Sequence, residues 1–153
     1  MAVWVLLEGT NTSGIVVQVK TIVFEGAIGT RGCDVDLEST PSVKRSALDG
    51  AKAAYHILSA EGMLIRSITA DYELIDSPLN IHGDSAGLAF ALGLIQEVVD
   101  VNLTVLAATG IVQSNGGIQA IEGLNSKLRT LEAIMPNGGC VFYPRTNDQE
   151  LNG

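Results

Sequence analysis

Histidine and cysteine are scarce in this chain, with two of each among 153 residues, and that scarcity excludes several chemistries. Cys33 and Cys140 lie far apart, with no further cysteine or histidine at ligand spacing, so no zinc motif forms. The expectation for both is a reduced, structural thiol in a cytosolic protein. No Gly-x-x-x-x-Gly-Lys-[Ser/Thr] segment occurs, so the chain has no P-loop for ATP, and no cofactor or metal is expected. Nine Lys and Arg stand against 17 Asp and Glu, a net charge of -8 without any basic run, which argues against nucleic acid as a partner. The longest apolar stretch, Ala86 to Ile95, is broken by Gly87 and Gly93 and ends at Gln96-Glu97. That length suits a buried core helix better than a membrane span. The start, Met1 to Glu8, lacks a basic region and is too short for a signal peptide. The expected location is cytoplasmic, with no membrane segment.

What is present is apolar: 46% of residues are hydrophobic, beyond what a disordered chain shows. The length fits one domain over 1–153 with a real core, and the apolar excess points to a homo-oligomer. The tail, Asp148 to Gly153, ends abruptly, as in a domain cut from a longer protein. Ile15 to Phe24 alternates and is rich in Val and Ile, which predicts a strand. Ser39-Thr40-Pro41-Ser42 opens a helix, with Thr40 as N-cap and Pro41 at the first position. Its apolar face is Val43, Ala47, Ala51, Ala54, Tyr55 and Leu58, and Gly62 ends it.

Ile65 to Leu74 predicts a second long strand, and a polar loop from Asp76 to Gly83 leads into a helix running to about Val99. Short strands follow at Leu103 to Ala108 and, after the Asn115-Gly116-Gly117 turn, at Ile118 to Ile121. A last helix stops before Pro136-Asn137-Gly138-Gly139, and Cys140 to Tyr143 forms a final strand closed by Pro144. Strands and helices alternate, so the fold class is α/β or α+β.

Two residues stand out chemically. Ser85, in Gly83-Asp84-Ser85-Ala86-Gly87, sits at the mouth of an apolar helix. Lys127 shares one arc of the last helix with Leu124, Leu128, Leu131, Ile134 and Met135, while Arg129 and Glu132 fall outside that arc. A lysine among leucines loses hydration, which disfavours its ammonium form. A neutral amine can take a proton from a hydroxyl, so Ser85 and Lys127 form a candidate nucleophile and base.

Gly-Asp-Ser-Ala-Gly also satisfies the Gly-x-Ser-x-Gly elbow of α/β-hydrolases. That fold needs a histidine after the serine, yet His56 and His82 both precede Ser85, and no His-Gly-Gly-Gly segment lies upstream. An order of His56, Asp71 and Ser85 would mimic chymotrypsin-like enzymes. His56, however, lies in a helical, alanine-rich segment of a chain too short for two β-barrels. His82, three residues before Ser85, is either a residue that tunes the site or, the preferred reading, an ordinary loop histidine exposed to solvent.

From Gly83 to Pro144 the sequence resembles the proteolytic domain of Lon proteases, the Ser-Lys peptidases. Gly83-Asp84-Ser85-Ala86-Gly87 resembles the family's Gly-Pro-Ser-Ala-Gly block, archaeal-type members carrying Asp in place of Pro as at Asp84. Thr109-Gly110, then Gly116, then Ile121-Glu122-Gly123-Leu124-Asn125-Ser126-Lys127 looks like the Thr-Gly-Glu…Gly…Ile-Gly-Gly-Leu-Lys-Glu-Lys block. Val141-Phe142-Tyr143-Pro144 resembles the Val-Leu-Ile-Pro strand that follows. Ser85 and Lys127 lie 42 residues apart, close to the family spacing. Ile111 replaces the usual Glu, Glu122 replaces the first glycine of Gly-Gly-Leu, and Gly87 matches the bacterial form.

The resemblance implies a Lon-like domain of the ribosomal-S5-domain-2-like superfamily that hydrolyses unfolded polypeptide through an acyl-enzyme on Ser85. Lys127 would be the base, backbone amides at the start of the Ser85 helix the oxyanion donors, and Asp84 a supporting residue. Thr109 would hydrogen-bond the Lys127 amine. The implied assembly is a homo-oligomeric ring, six subunits being one candidate size, served by a fused or separate AAA+ ATPase module. The alternative is a catalytically inactive Lon-like assembly or binding module.

Overall fold

The architecture follows from two hydrophobic periods, 2 along the strands and 3.6 along the helices. In the computed structural model, residues 2–9, 14–78, 81–100, 106–121, 124–133 and 140–148 are described. In chain order the elements are β1 (Ala2–Gly9), β2 (Gly14–Glu25), β3 (Cys33–Asp36), α1 (Pro41–Ala60), β4 (Ile68–Ile75), β5 (Ile81–His82) and α2 (Gly87–Val99). Then come β6 (Leu106–Ala108), β7 (Ile111–Val112), β8 (Ile118–Gln119), α3 (Leu124–Glu132) and β9 (Cys140–Phe142). A 3₁₀ turn, Arg145–Asn147, follows β9. The class is mixed α/β of the α+β kind.

Seven strands form one mixed sheet in the order β3-β4-β2-β1-β6-β9, with β5 paired to the end of β1. β2 is antiparallel to β1 and β4, while β6 runs parallel to both β1 and β9. β7 and β8 make a separate hairpin whose turn uses Gly116 at φ 95, a conformation that glycine adopts without steric cost. No helix among the described residues is long and apolar enough to cross a membrane.

Side chains on β1 alternate between the sheet's two faces. Val3 and Val5 join the main core, with Val17, Val19 and the buried faces of α1 and α2. Leu6 points the other way, into a smaller cluster with Ala107, Leu131 of α3 and the partly buried Val16 and Val141. The helices α1 and α2 therefore lie on one face and α3 on the other. Where α1 meets α2, a Cβ at Gly50 would overlap the Gly87 carbonyl, so two glycines bring the first turn of α2 against the middle of α1.

The apolar face expected for α1 is the observed one: Val43, Ala47, Ala51, Ala54, Tyr55 and Leu58 are all buried. Its end is also as expected, with Gly62 at φ 75 and the Met63 N–H donating to Leu58 O at 2.8 Å, a Schellman-type closure. The N-terminus differs. Thr40 occupies the N-cap position but makes no side-chain cap bond; its hydroxyl donates instead to Ile81 O at 2.9 Å.

The expected strand over Ile65 to Leu74 is shorter at its start, since pairing with β2 begins at Ile68. The loop expected over Asp76 to Gly83 contains β5. Parts of three expected elements lie outside the described residues: 103–105, 134–135 and the turn 136–139. Both thiols are free of disulfide bonds, Cys33 buried and Cys140 exposed.

Candidate active site

Ser85 lies in the turn just before α2, whose N-cap is Ala86. The backbone on either side of it is tied down. Ser85 O accepts from Gly110 N–H at 2.8 Å and from Thr109 Oγ1 at 3.5 Å. In return Leu88 N–H donates to Gly110 O at 3.1 Å. Thr109 N–H itself donates to Phe142 O at 3.0 Å, which connects the turn to β9. A Cβ at Gly87 would press on Val112 and one at Gly110 on Leu88 and Pro144, so both glycines allow a close approach of backbones.

Lys127 comes from α3, on the opposite face of the sheet, with Leu124 and Leu131 buried beside it on the same stripe. Arg129 and Glu132 are exposed, as the helical arc requires. The lysine is 2% exposed and the serine 8%. Lys127 Nζ donates to Ser85 Oγ at 2.7 Å, a short contact for an amine and a hydroxyl. Ser85 Oγ also donates to Leu6 O, at 3.5 Å. The two residues, 42 apart in sequence, are thus brought together in a buried contact across the sheet layer.

A cleft of about 350 Å³ opens over the pair, lined by His82, Asp84, Ser85, Ile111, Ala120, Ile121 and Lys127. Asp84 and His82 are exposed at its rim. The hairpin β7–β8 supplies Ile111 and leads to Ala120, while Ile121 is fixed by Asn147. Ile121 N–H donates to Asn147 Oδ1 at 3.0 Å and Asn147 Nδ2 donates to Ile121 O at 2.9 Å. No local sequence pattern marks Asn147, Ala120 and Ile121 as site residues, since they come together only when the segment after β9 bonds back to Ile121 beside the hairpin. Glu122, the substituted position near Lys127, lies outside the described residues.

Two expected contacts differ. Thr109 is fully buried and directs its hydroxyl to the Ser85 carbonyl rather than to the Lys127 amine. The amides at the start of α2 are partly committed, Ala86 N–H to Gly83 O at 3.0 Å and Leu88 N–H to Gly110 O. His56 is exposed on α1 and Asp71 lies on β4; no hydrogen bond joins either to Ser85 among the described residues. No group of three His, Cys, Asp or Glu that could hold a metal occurs among the described residues.

Compared with known proteins, the sequence matches no protein-family model and no curated protein. The class defined by fold and site is therefore a mixed α+β domain with a buried serine–lysine contact under an open cleft.

Proposed function

We propose that this chain is a Lon-type serine peptidase domain in which Ser85 is the nucleophile and Lys127 the general base. The observation that carries the reading is the 2.7 Å contact between Lys127 Nζ and Ser85 Oγ, both groups buried and both lining one cleft. An amine so far removed from water loses the hydration on which an ammonium ion depends. In its neutral form Lys127 accepts the Ser85 proton as the hydroxyl attacks the peptide carbonyl, then returns it to the leaving amine. The acyl-enzyme on Ser85 is then hydrolysed by water, with the same amine as base.

Because the Ala86 and Leu88 amides are already bonded, the oxyanion falls to the remaining amides of the turn, those of Ser85 and Gly87, where the positive end of α2 adds to their field. Thr109 acts on the nucleophile's backbone, and Asp84 stands at the cleft rim. The apolar wall of Ile111, Ala120 and Ile121 offers an unfolded segment a surface to lie on. With the Lon reading come a ribosomal-S5-domain-2-like fold, a homo-oligomeric ring, an AAA+ ATPase on this or another chain, and a cytoplasmic location.

The test is cleavage of casein and fluorogenic peptides, without ATP, by the wild type, Ser85→Ala and Lys127→Ala. Loss of activity in both variants, with circular dichroism unchanged, is the expected result. Activity that survives either substitution removes the dyad. An inert wild type, even with an AAA+ partner added, leaves the binding-module reading in its place.

A further inference from the structure

The segment leading into Ser85 is gripped from α1 by three hydroxyls. Thr40 Oγ1 donates to Ile81 O at 2.9 Å, Gly83 N–H donates to Ser42 Oγ at 3.2 Å, and Ser46 Oγ donates to Gly83 O. Ser42 and Ser46 are four residues apart and so stand one above the other on one helix face. Together they hold both the backbone donor and the backbone acceptor of one residue, Gly83, two residues before the nucleophile. Gly83 lies flat on the helix, since a Cβ there would overlap Val43. Gly83 O also accepts the Ala86 N–H at 3.0 Å, closing the turn over Asp84 and Ser85.

Helix propensity does not explain these serines. Alanine is the better helix former, and α1 uses it at Ala47, Ala51, Ala53 and Ala54. Ser46 is buried, where a hydroxyl needs a partner, and the partner it has is the nucleophile's own turn. On its other side that turn is tied to Thr109 and Gly110. The turn is thus held between α1 and the segment that follows β6.

We propose that Ser42 and Ser46 are positioning residues for Ser85: their grip on Gly83 keeps Ser85 Oγ within hydrogen-bond reach of Lys127 Nζ. The proposal rests on the reading of Ser85 and Lys127 as a reacting pair. Without the clamp only the Thr40 bond to Ile81 O, four residues before the nucleophile, still ties this segment to α1 by a hydroxyl, and a displacement of about 1 Å at a reacting atom costs on the order of a hundredfold in rate.

The experiment uses the double variant Ser42→Ala/Ser46→Ala and two readouts. In the native background, the labelling rate of Ser85 by a fluorophosphonate and the peptide kcat are expected to fall by about tenfold or more, with KM changed less than about twofold. Ser42→Thr, which keeps the hydroxyl, is expected to label at close to the wild-type rate. In a Ser85→Cys/Cys140→Ser background, the alkylation rate of the introduced thiol is followed against pH, Cys33 being buried. The neighbouring amine is expected to make that thiol titrate below the ordinary cysteine range, and the double variant to move it back up.

The thiol readout does not depend on peptidase activity. A wild type inert toward peptides, with a thiol titration that the double variant shifts, keeps the clamp and removes the peptidase. A thiol titration and labelling rate unchanged by the double variant overturn the clamp and leave the peptidase standing.

Discussion

Lys127 occupies a place on α3 that its neighbours Leu124 and Leu131 would lead one to fill with a leucine. A lysine there is costly unless its nitrogen is used, and the nitrogen meets Ser85 Oγ at 2.7 Å. If that amine is a base, the rate must rise with pH as the group loses its proton and then level off, because only the neutral amine accepts the serine proton. A kcat/KM flat from about pH 5 to 9 would remove Lys127 from the role. Lys127→Arg gives the complementary check. Arginine stays protonated and cannot accept the serine proton, so it is expected, like alanine, to lower kcat on the order of 10²–10⁴-fold. At this scale much of the site was legible: Lys127 stands out by its position on an apolar arc, and Ser85 by its place before an apolar helix. The direction of the Thr109 hydroxyl was not legible, because sequence gives no reason to choose the Ser85 carbonyl over the Lys127 amine.

The wall of the cleft depends on one side chain from a neighbouring element. Asn147, in the 3₁₀ turn after β9, bonds both backbone groups of Ile121, as a paired strand would. Asn147→Ala leaves a buried N–H and C=O without that partner, an expected loss of about 1–3 kcal/mol in urea unfolding and lower activity per folded molecule. Asn147→Asp keeps an acceptor for the N–H but sets a carboxylate oxygen against Ile121 O, so it should destabilise rather than rescue; full stability in that variant would show that the pairing carries little. Elements differed in how far the chain announced them. The 3.6-residue period of α1, from Val43 to Leu58, and the Val-Ile run of β2 are strong local patterns, and both elements form where expected. β3 and β7 have four and two residues, too few for a period to show, and exist through their partners β4 and β8. β1 is a short apolar run with no clear period of its own, and its place at the centre of the sheet comes from pairing with β2 and with the distant β6.

At the scale of the whole molecule, the sheet order β3-β4-β2-β1-β6-β9 joins residues far apart in sequence, which no local pattern encodes. It also seals two acids into the core on the α1–α2 face. Tyr72 of β4 lies edge-on to Phe90, ring centroids 4.8 Å apart, and donates its hydroxyl to Phe90 O at 2.8 Å; burial pushes its phenol well above the usual range. Cys33, on the edge strand β3, is pushed up to about 11, first by burial and then by Asp34, with Lys52 opposing. For both groups the protonated, neutral form is the one the fold accepts, so the native state holds its protons more tightly than the unfolded chain. Their contribution to stability is therefore intact at neutral pH and is lost as pH rises. For Cys33 the window runs from 9.0, its unperturbed value, to about 11. Melting temperature should fall through that interval. Cys33→Ala should make the fall shallower there, whatever it costs at neutral pH, since it removes one proton difference and leaves that of Tyr72. A wild type and Cys33→Ala whose melting temperatures decline in parallel from pH 9 to 11 would show that folding does not raise the thiol's proton affinity.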